Sequence, residues 1–225
     1  MMKTKEAKDI VGGLTYTSKM PCPSLSIPSS ACITGAKLVK IKGSTCEGCY
    51  TFGGMYNFPA GKLARDKRLD SLYDPRWVEA MVTLIKSRKA YKKGTDWFRW
   101  HDSGDIQGMI HLCNIMQVAE LTPDCDHWLP TRENEFLSAY VESGKVVPSN
   151  MFVRVSALMV DGKPPSTFAK RLNGKHNVKG FIGTSTVHKD KVAIGVSCIA
   201  YTQGGECKDC RTCWSTELNV SYPKH

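Results

Sequence analysis

Between residues 97 and 196 short apolar runs alternate with helix-patterned segments, and this alternation constrains the fold more than any other feature of the chain. Trp97-Phe98-Arg99-Trp100, His127-Trp128-Leu129, Met151-Phe152-Val153-Arg154-Val155, Phe181-Ile182-Gly183 and Val192-Ala193-Ile194-Gly195-Val196 have the length and residue types of strands. Between them, Met109, Leu112, Cys113 and Met116 share one helix face. Phe136, Leu137, Tyr140 and Val141 share another, in a helix that should stop at Gly144. Strands separated by helices need crossover connections, which build parallel sheets from right-handed βαβ units. The expected fold is therefore α/β: a parallel sheet, open or curled into a partial (β/α) barrel. Such folds carry their chemistry at the C-terminal ends of the strands. Those ends hold His101-Asp102-Ser103-Gly104-Asp105, Thr131-Arg132-Glu133, Ser156, Thr184-Ser185-Thr186 and Ser197-Cys198.

The flanks read differently. Pro21, Pro23, Pro28 and Pro59, with Gly12, Gly13, Gly53 and Gly54, make residues 1–60 loop-rich. A helix should start near Asp74, with Pro75 in its first turn and Val78, Met81, Val82 and Ile85 on its apolar stripe, and run into Lys93 and Gly94. At 225 residues the chain is read as one domain: the loop-rich segment 1–60, an α/β core over 61–197 and a cysteine-rich end over 198–225.

Ten cysteines are many for a chain without an export signal, and the charged N-terminus MMKTKEAKDIVGG has no apolar signal core. A cytosolic location is expected, in which thiols stay reduced and tight cysteine spacing points to metal. Cys207-x2-Cys210-x2-Cys213 has the spacing of the first three ligands in a ferredoxin-type run, and Cys198 is the nearest candidate for the fourth. Lys208 and Arg211 lie between these thiolates, where positive charge offsets an anionic cluster. An iron–sulfur cluster, of [4Fe–4S] type, is the leading expectation; zinc also takes four thiolates and is the alternative. Near the other end stand Cys22, Cys32 and the pair Cys46-x2-Cys49. Three of these would leave one iron open to an outside ligand, all four could close a second site, or both segments could share one site. Cys113, on a helix face, and Cys125, in a turn, read as structural. Trp77, Trp97, Trp100, Trp128 and Trp214 read as core or as cover for a cluster.

Among the strand ends, His101 stands out because Asp102 and Asp105 flank it, and a carboxylate beside a histidine orients the ring and tunes its pKa. Arg132 is suited to pairing with an anionic ligand. His101, Asp102, Asp105 and Arg132 are the candidate catalytic residues. The net charge of +10 is uneven: residues 101–145 carry 2 basic and 8 acidic side chains, within basic flanks. Nucleic acid is thus a candidate partner beside a small-molecule substrate. A membrane is not, since there is no apolar run of about 18 residues.

Cys46-x2-Cys49-Tyr50, Gly54-x-Tyr56-x-Phe58-Pro59, Trp77, Arg99-x-His101-Asp102-x-Gly104-Asp105 and Thr131-Arg132, in that order, resemble the phage gene product 88-like family over most of residues 20–135. The end of the chain, Cys198 with Cys207-x2-Cys210-x2-Cys213-Trp214, also resembles longer family members. The resemblance implies a phage-encoded cysteine–metal protein acting in the host cytosol and says little about its reaction. Here Ile33–Thr45 looks like an insertion that spreads the N-terminal cysteines. A looser similarity links the chain to radical S-adenosylmethionine enzymes, which pair a partial (β/α) barrel with a three-cysteine cluster. Their C-x3-C-x2-C signature is missing, and Cys32-x13-Cys46-x2-Cys49 is at best a stretched form. The reading that results is an iron–sulfur protein, a redox or radical enzyme with S-adenosylmethionine as a candidate cofactor. A basic nucleic-acid-binding module stabilised by zinc or a cluster is the alternative.

Overall fold

The computed structural model describes residues 2–87, 96–215 and 217–224. Seven strands form one wholly parallel sheet: β1 (Ser24–Leu25), β2 (Trp97–Trp100), β3 (Asp126–Thr131), β4 (Met151–Ser156), β5 (Phe181–His188), β6 (Val196–Ser197) and β7 (Val220–Pro223). Their order is β1-β2-β3-β4-β5-β7-β6, and the sheet does not close. Through β5, each strand lies beside the next in the chain. Right-handed crossovers that always step in one direction put every connecting helix on the same side. That is barrel-type winding, and it leaves the other face of the sheet without helices between strands.

Strand alternation sorts the side chains accordingly. Phe98, Trp100, Leu129, Met151, Val153, Val155 and Ile182 join the helices in one continuous core. Those helices are α1 (Thr4–Val11), α3 (Pro59–Ser71), α4 (Trp77–Lys86), α5 (Met109–Glu120), α6 (Asn134–Glu142) and α7 (Ser166–Asn173). Cys125 is buried in this core and Cys113 packs at its edge, as structural cysteines should. Trp128 and Phe152 face the other way and meet Cys22, Cys213, Trp214 and Tyr222 in a second, smaller core.

The C-terminal segment covers that second face. Its short helix α8 (Thr212–Ser215) rests on β3 and β4. The rings of Trp128 and Trp214 lie 5.0 Å apart, edge to face, and Trp214 Nε1 donates to the Phe98 carbonyl at 3.2 Å. Arg154, in mid-strand, is fully buried and holds the segment down. Its guanidinium donates to the carbonyls of Cys213 (3.1 Å), Leu218 (3.0 Å) and Thr212 (3.3 Å). Gly183 pairs with Arg154 in the register, and a Cβ there would lie 2.7 Å from Arg154 Nη1, so only glycine leaves room for this arginine.

Three local expectations change. The fourth helix begins at Trp77, because Asp74 and Pro75 form a turn in which the Trp77 amide donates to the Asp74 carbonyl. The anticipated end of this helix at Lys93 and Gly94 lies outside the described residues. The anticipated strand over 192–196 shrinks to Val196–Ser197: Val192 is 89% exposed and Gly195 turns at φ +78°, where a Cβ would lie 2.2 Å from the Asn219 carbonyl oxygen. β5 is longer than anticipated, with Thr184, Ser185 and Thr186 inside the strand. Among the described residues no helix is long and apolar enough to cross a membrane.

Candidate metal centre

The N-terminal thiols sit over the ends of β3 and β4. Cys32 immediately precedes α2 (Ile33–Leu38). Glu133, just past β3, pins that helix by accepting from the Thr34 amide (2.8 Å) and the Thr34 hydroxyl (2.9 Å). The next loop is pinned beside it. Its Thr45 amide donates to the Leu158 carbonyl (2.9 Å), and the Thr45 hydroxyl accepts from Arg132 Nε (3.1 Å). Cys46 and Cys49 close a turn through the Cys49 amide and the Cys46 carbonyl at 3.1 Å, with Gly48 at φ +64°. A Cβ on Gly35 would lie 3.5 Å from Cys32 Sγ and 3.8 Å from Cys46 Sγ, so the two sulfurs are within about 7 Å of each other. Burial pushes the Cys32 thiol up to about 12, and the neighbouring Asp105, Cys46 and Cys49 add to the rise, while Arg132 opposes it. Burial also raises Cys46, and Arg132 is the largest opposing influence. Cys32, Cys46 and Cys49 thus form one group, with Arg132 as its cation.

The C-terminal thiols form a second group. Cys198 follows β6 directly and its amide donates to the Ser221 carbonyl in β7 (2.8 Å), and the Cys207 amide donates to the Lys19 carbonyl (3.0 Å). Cys207 and Cys210 are also closed by an amide–carbonyl bond, of 2.9 Å, but the left-handed residue of this turn is Lys208 (φ +45°), one place earlier than Gly48 in the other pair. Cys213 Sγ lies 3.2 Å from the Tyr222 hydroxyl. Burial pushes Cys213 up to about 12; Tyr222, Arg154 and Arg99 oppose this, and Cys198 adds to it. Burial raises Cys207 too, reinforced by Cys198 and Cys210. Cys22 is fully buried against Trp128 and Trp214, and the thiols whose charge reaches it are Cys125 and Cys207. It accompanies the C-terminal group and not the N-terminal one.

Two arginines stack on this second face: Arg99 lies 4.6 Å from the centre of the Trp128 ring, and Arg211 lies 4.5 Å from that of Trp97. Arg99 interacts with Tyr50 and Asp102 on the strand-end side and also with Tyr222 and Cys213. It is the cation common to both neighbourhoods. Among the described residues no three His, Cys, Asp or Glu side chains are close enough to grip a single metal ion.

The other predicted residues divide. Arg132 stands beside the N-terminal thiols. His101 does not: at φ +55° the chain turns its ring into the helix-side core, 5.3 Å from the His111 ring and 97% buried. Asp102 accepts from the Ser24 hydroxyl (3.0 Å) and the Tyr56 hydroxyl (3.4 Å), and its carbonyl accepts from Tyr50 (2.7 Å). Asp105 accepts from Thr131 (2.7 Å), Ile106 N (2.8 Å) and Arg132 N (2.9 Å), tying the loop after β2 to the end of β3. These carboxylates build the rim and place Arg132. Arg99, Arg154, Glu133 and Thr45 are not among the candidate site residues of the sequence, although Arg99 and Glu133 stand in its motifs. An arginine in the middle of an apolar strand pattern is the signal that exposes the first two.

A family model described as gene product 88 matches residues 2–216. The chain belongs to the gene product 88 family. The match spans all ten cysteines, so both thiol groups lie within the gene product 88 region. It also extends the phage-family resemblance, noted over most of residues 20–135 and at the C-terminal cysteines, to nearly the whole chain. No curated protein and no solved structure matches. The similarity to radical S-adenosylmethionine enzymes gains no support from these comparisons.

Proposed function

We propose that this gene product 88 family member is an iron–sulfur redox protein, with one cluster over the strand ends and another against the opposite face of the sheet. The carrying observation is the sorting of the thiols: Cys32, Cys46 and Cys49 gather at the strand-end rim, and Cys198, Cys207, Cys210 and Cys213 gather beside Arg154 and Arg99. A single tetrahedral zinc would draw its sulfurs to about 3.8 Å of one another, given Zn–S bonds near 2.3 Å. No three potential ligands meet that closely among the described residues, yet the thiols of each group are near enough to shift one another's ionisation. The C-x2-C-x2-C spacing of Cys207, Cys210 and Cys213, which matches the first three ligands of a ferredoxin-type run, is what favours a polynuclear cluster over one ion.

When bound, a cluster supplies one-electron chemistry. The protein supplies the rest. Burial favours the neutral thiol at Cys32, Cys46, Cys198, Cys207 and Cys213, so loading would release protons and strengthen as pH rises. Arg132 offsets the charge of Cys32 and Cys46, and Arg99 and Arg154 do the same at Cys213. The aromatic cover of Trp97, Trp128 and Trp214 keeps water from the second site.

The test is anaerobic purification followed by iron, sulfide and zinc analysis and a visible spectrum. Stoichiometric iron and sulfide with a brown colour are expected; colourless protein with stoichiometric zinc would overturn the reading. A second arm asks where the electron goes: reductive cleavage of added S-adenosylmethionine identifies radical chemistry, and its absence with cluster present identifies plain redox. The alternative nucleic-acid module predicts DNA or RNA affinity that collapses with salt.

A further inference from the structure

The two thiol groups share a local pattern of sequence and hydrogen bonds, and they differ in the number of thiols it presents. Cys46-Glu47-Gly48-Cys49-Tyr50-Thr51-Phe52 aligns with Cys207-Lys208-Asp209-Cys210-Arg211-Thr212-Cys213. In each copy the amide of the second cysteine bonds the carbonyl of the first, at 3.1 and 2.9 Å. In each, the threonine hydroxyl two residues on lies against the second sulfur: Cys49 Sγ to Thr51 at 3.0 Å and Cys210 Sγ to Thr212 at 3.2 Å. Each copy is preceded by a cysteine that opens a short helical segment, Cys32 before α2 and Cys198 before the turn Ile199–Gln203. The C-terminal copy then adds a fourth thiol, Cys213. At the matching place the N-terminal copy has Phe52, 51% exposed. Cys22 does not make up the deficit, because it is buried beside Trp128 and Trp214.

Resting on the iron–sulfur reading, we infer that the N-terminal site binds a cluster through three thiolates only, and that its fourth iron takes an exogenous small ligand carrying a carboxylate or phosphate. The C-terminal site is closed by four thiolates and carries electrons. The anion preference comes from Arg132. Its Nε donates to Thr45, the neighbour of Cys46, and its charge acts on both Cys32 and Cys46, so a planar guanidinium stands beside the thiol group. Carboxylates and phosphates match that fork in geometry and charge.

The experiment uses the anaerobic, iron-loaded full chain and one-electron oxidation by ferricyanide. A three-thiolate [4Fe–4S]2+ cluster gives one electron to the oxidant and releases its unliganded iron as Fe2+, leaving [3Fe–4S]+, which has an electron paramagnetic resonance signal. About one iron released per chain is expected, with that signal. Cys198→Ala should retain both effects and Cys46→Ala should lose them. Phe52→Cys, which supplies the missing thiol at an exposed position, should suppress the release at least fivefold, while Phe52→Ala should not. Citrate and inorganic phosphate are then added separately to reduced protein. One or both should shift the spectrum of the N-terminal cluster, and Arg132→Gln should weaken the effect about tenfold; the arm that responds names the anion class. Absence of iron and sulfide would remove the underlying reading. Loaded protein that forms no three-iron species, or forms it in Cys46→Ala but not in Cys198→Ala, would overturn this inference and leave that reading standing. A shift from neither anion, or one indifferent to Arg132→Gln, would overturn its ligand assignment.

Discussion

Gly104 shows how tightly the rim is built. It sits at φ +84°, and a Cβ there would lie 2.2 Å from Ile27 Cγ1. Gly104→Ala combines left-handed strain with a buried clash and should cost about 2–4 kcal/mol, read as a lower urea midpoint at unchanged slope. His101 and His111 give the chain an acid sensitivity. Burial holds His101 well below the usual histidine range and His111 at about 3. Unfolded histidines titrate near 6.5, so as pH falls below that value the unfolded state takes up protons the fold refuses, and stability drops. Asp105 acts in the opposite sense. Burial raises it to about 6, so the fold takes up its proton before the unfolded chain does. Two refused protons outweigh one accepted, and stability should fall by roughly 1.4 kcal/mol per pH unit between pH 6 and 4. Urea melts across that range check the slope, and His111→Phe should nearly flatten it. Arg99 should raise the potential of the C-terminal cluster, because a buried cation favours the added electron; Arg99→Met should therefore lower that potential, read by redox titration.

At the scale of elements, the alternating region from β2 to β5 is legible because each strand there has an apolar face and each helix a clear stripe. Elements outside it are harder to read for physical reasons. α1 has only eight residues, with Ala7, Ile10 and Val11 on a stripe barely one turn long, and α3 buries the polar Arg68 and Ser71, so neither announces itself as a long apolar period. β1 has two residues and owes its position to pairing with Arg99 and Trp100, not to its own pattern. The C-terminal segment depends on one side chain for its seat. Arg154→Met removes charge-assisted bonds to the carbonyls of Thr212, Cys213 and Leu218, and should cost about 3 kcal/mol or more. If the segment is a separable cover, that variant loses the iron of the C-terminal site and keeps the N-terminal cluster, which site-resolved iron analysis would show.

Over the whole molecule, cysteine spacing picks out the candidate ligands but cannot sort them into groups, since the sorting depends on which loops the parallel sheet brings together. The strand-end rule singles out Arg132, which stands beside Cys32 and Cys46. It does not foresee where the His101 ring goes, because one left-handed residue turns it into the core. The two thiol groups lie on different parts of one scaffold, over the strand ends and across the face that the C-terminal segment covers, with Arg99 reaching toward both. The most direct measurement compares iron and sulfide per chain in oxygen-free wild-type protein with that in two triple variants, Cys32/Cys46/Cys49→Ala and Cys207/Cys210/Cys213→Ala. About eight irons and eight sulfides are expected for two [4Fe–4S] clusters, with each variant folded and keeping about half. Wild-type protein without sulfide, or a single triple variant that removes all the iron, would contradict two independent clusters.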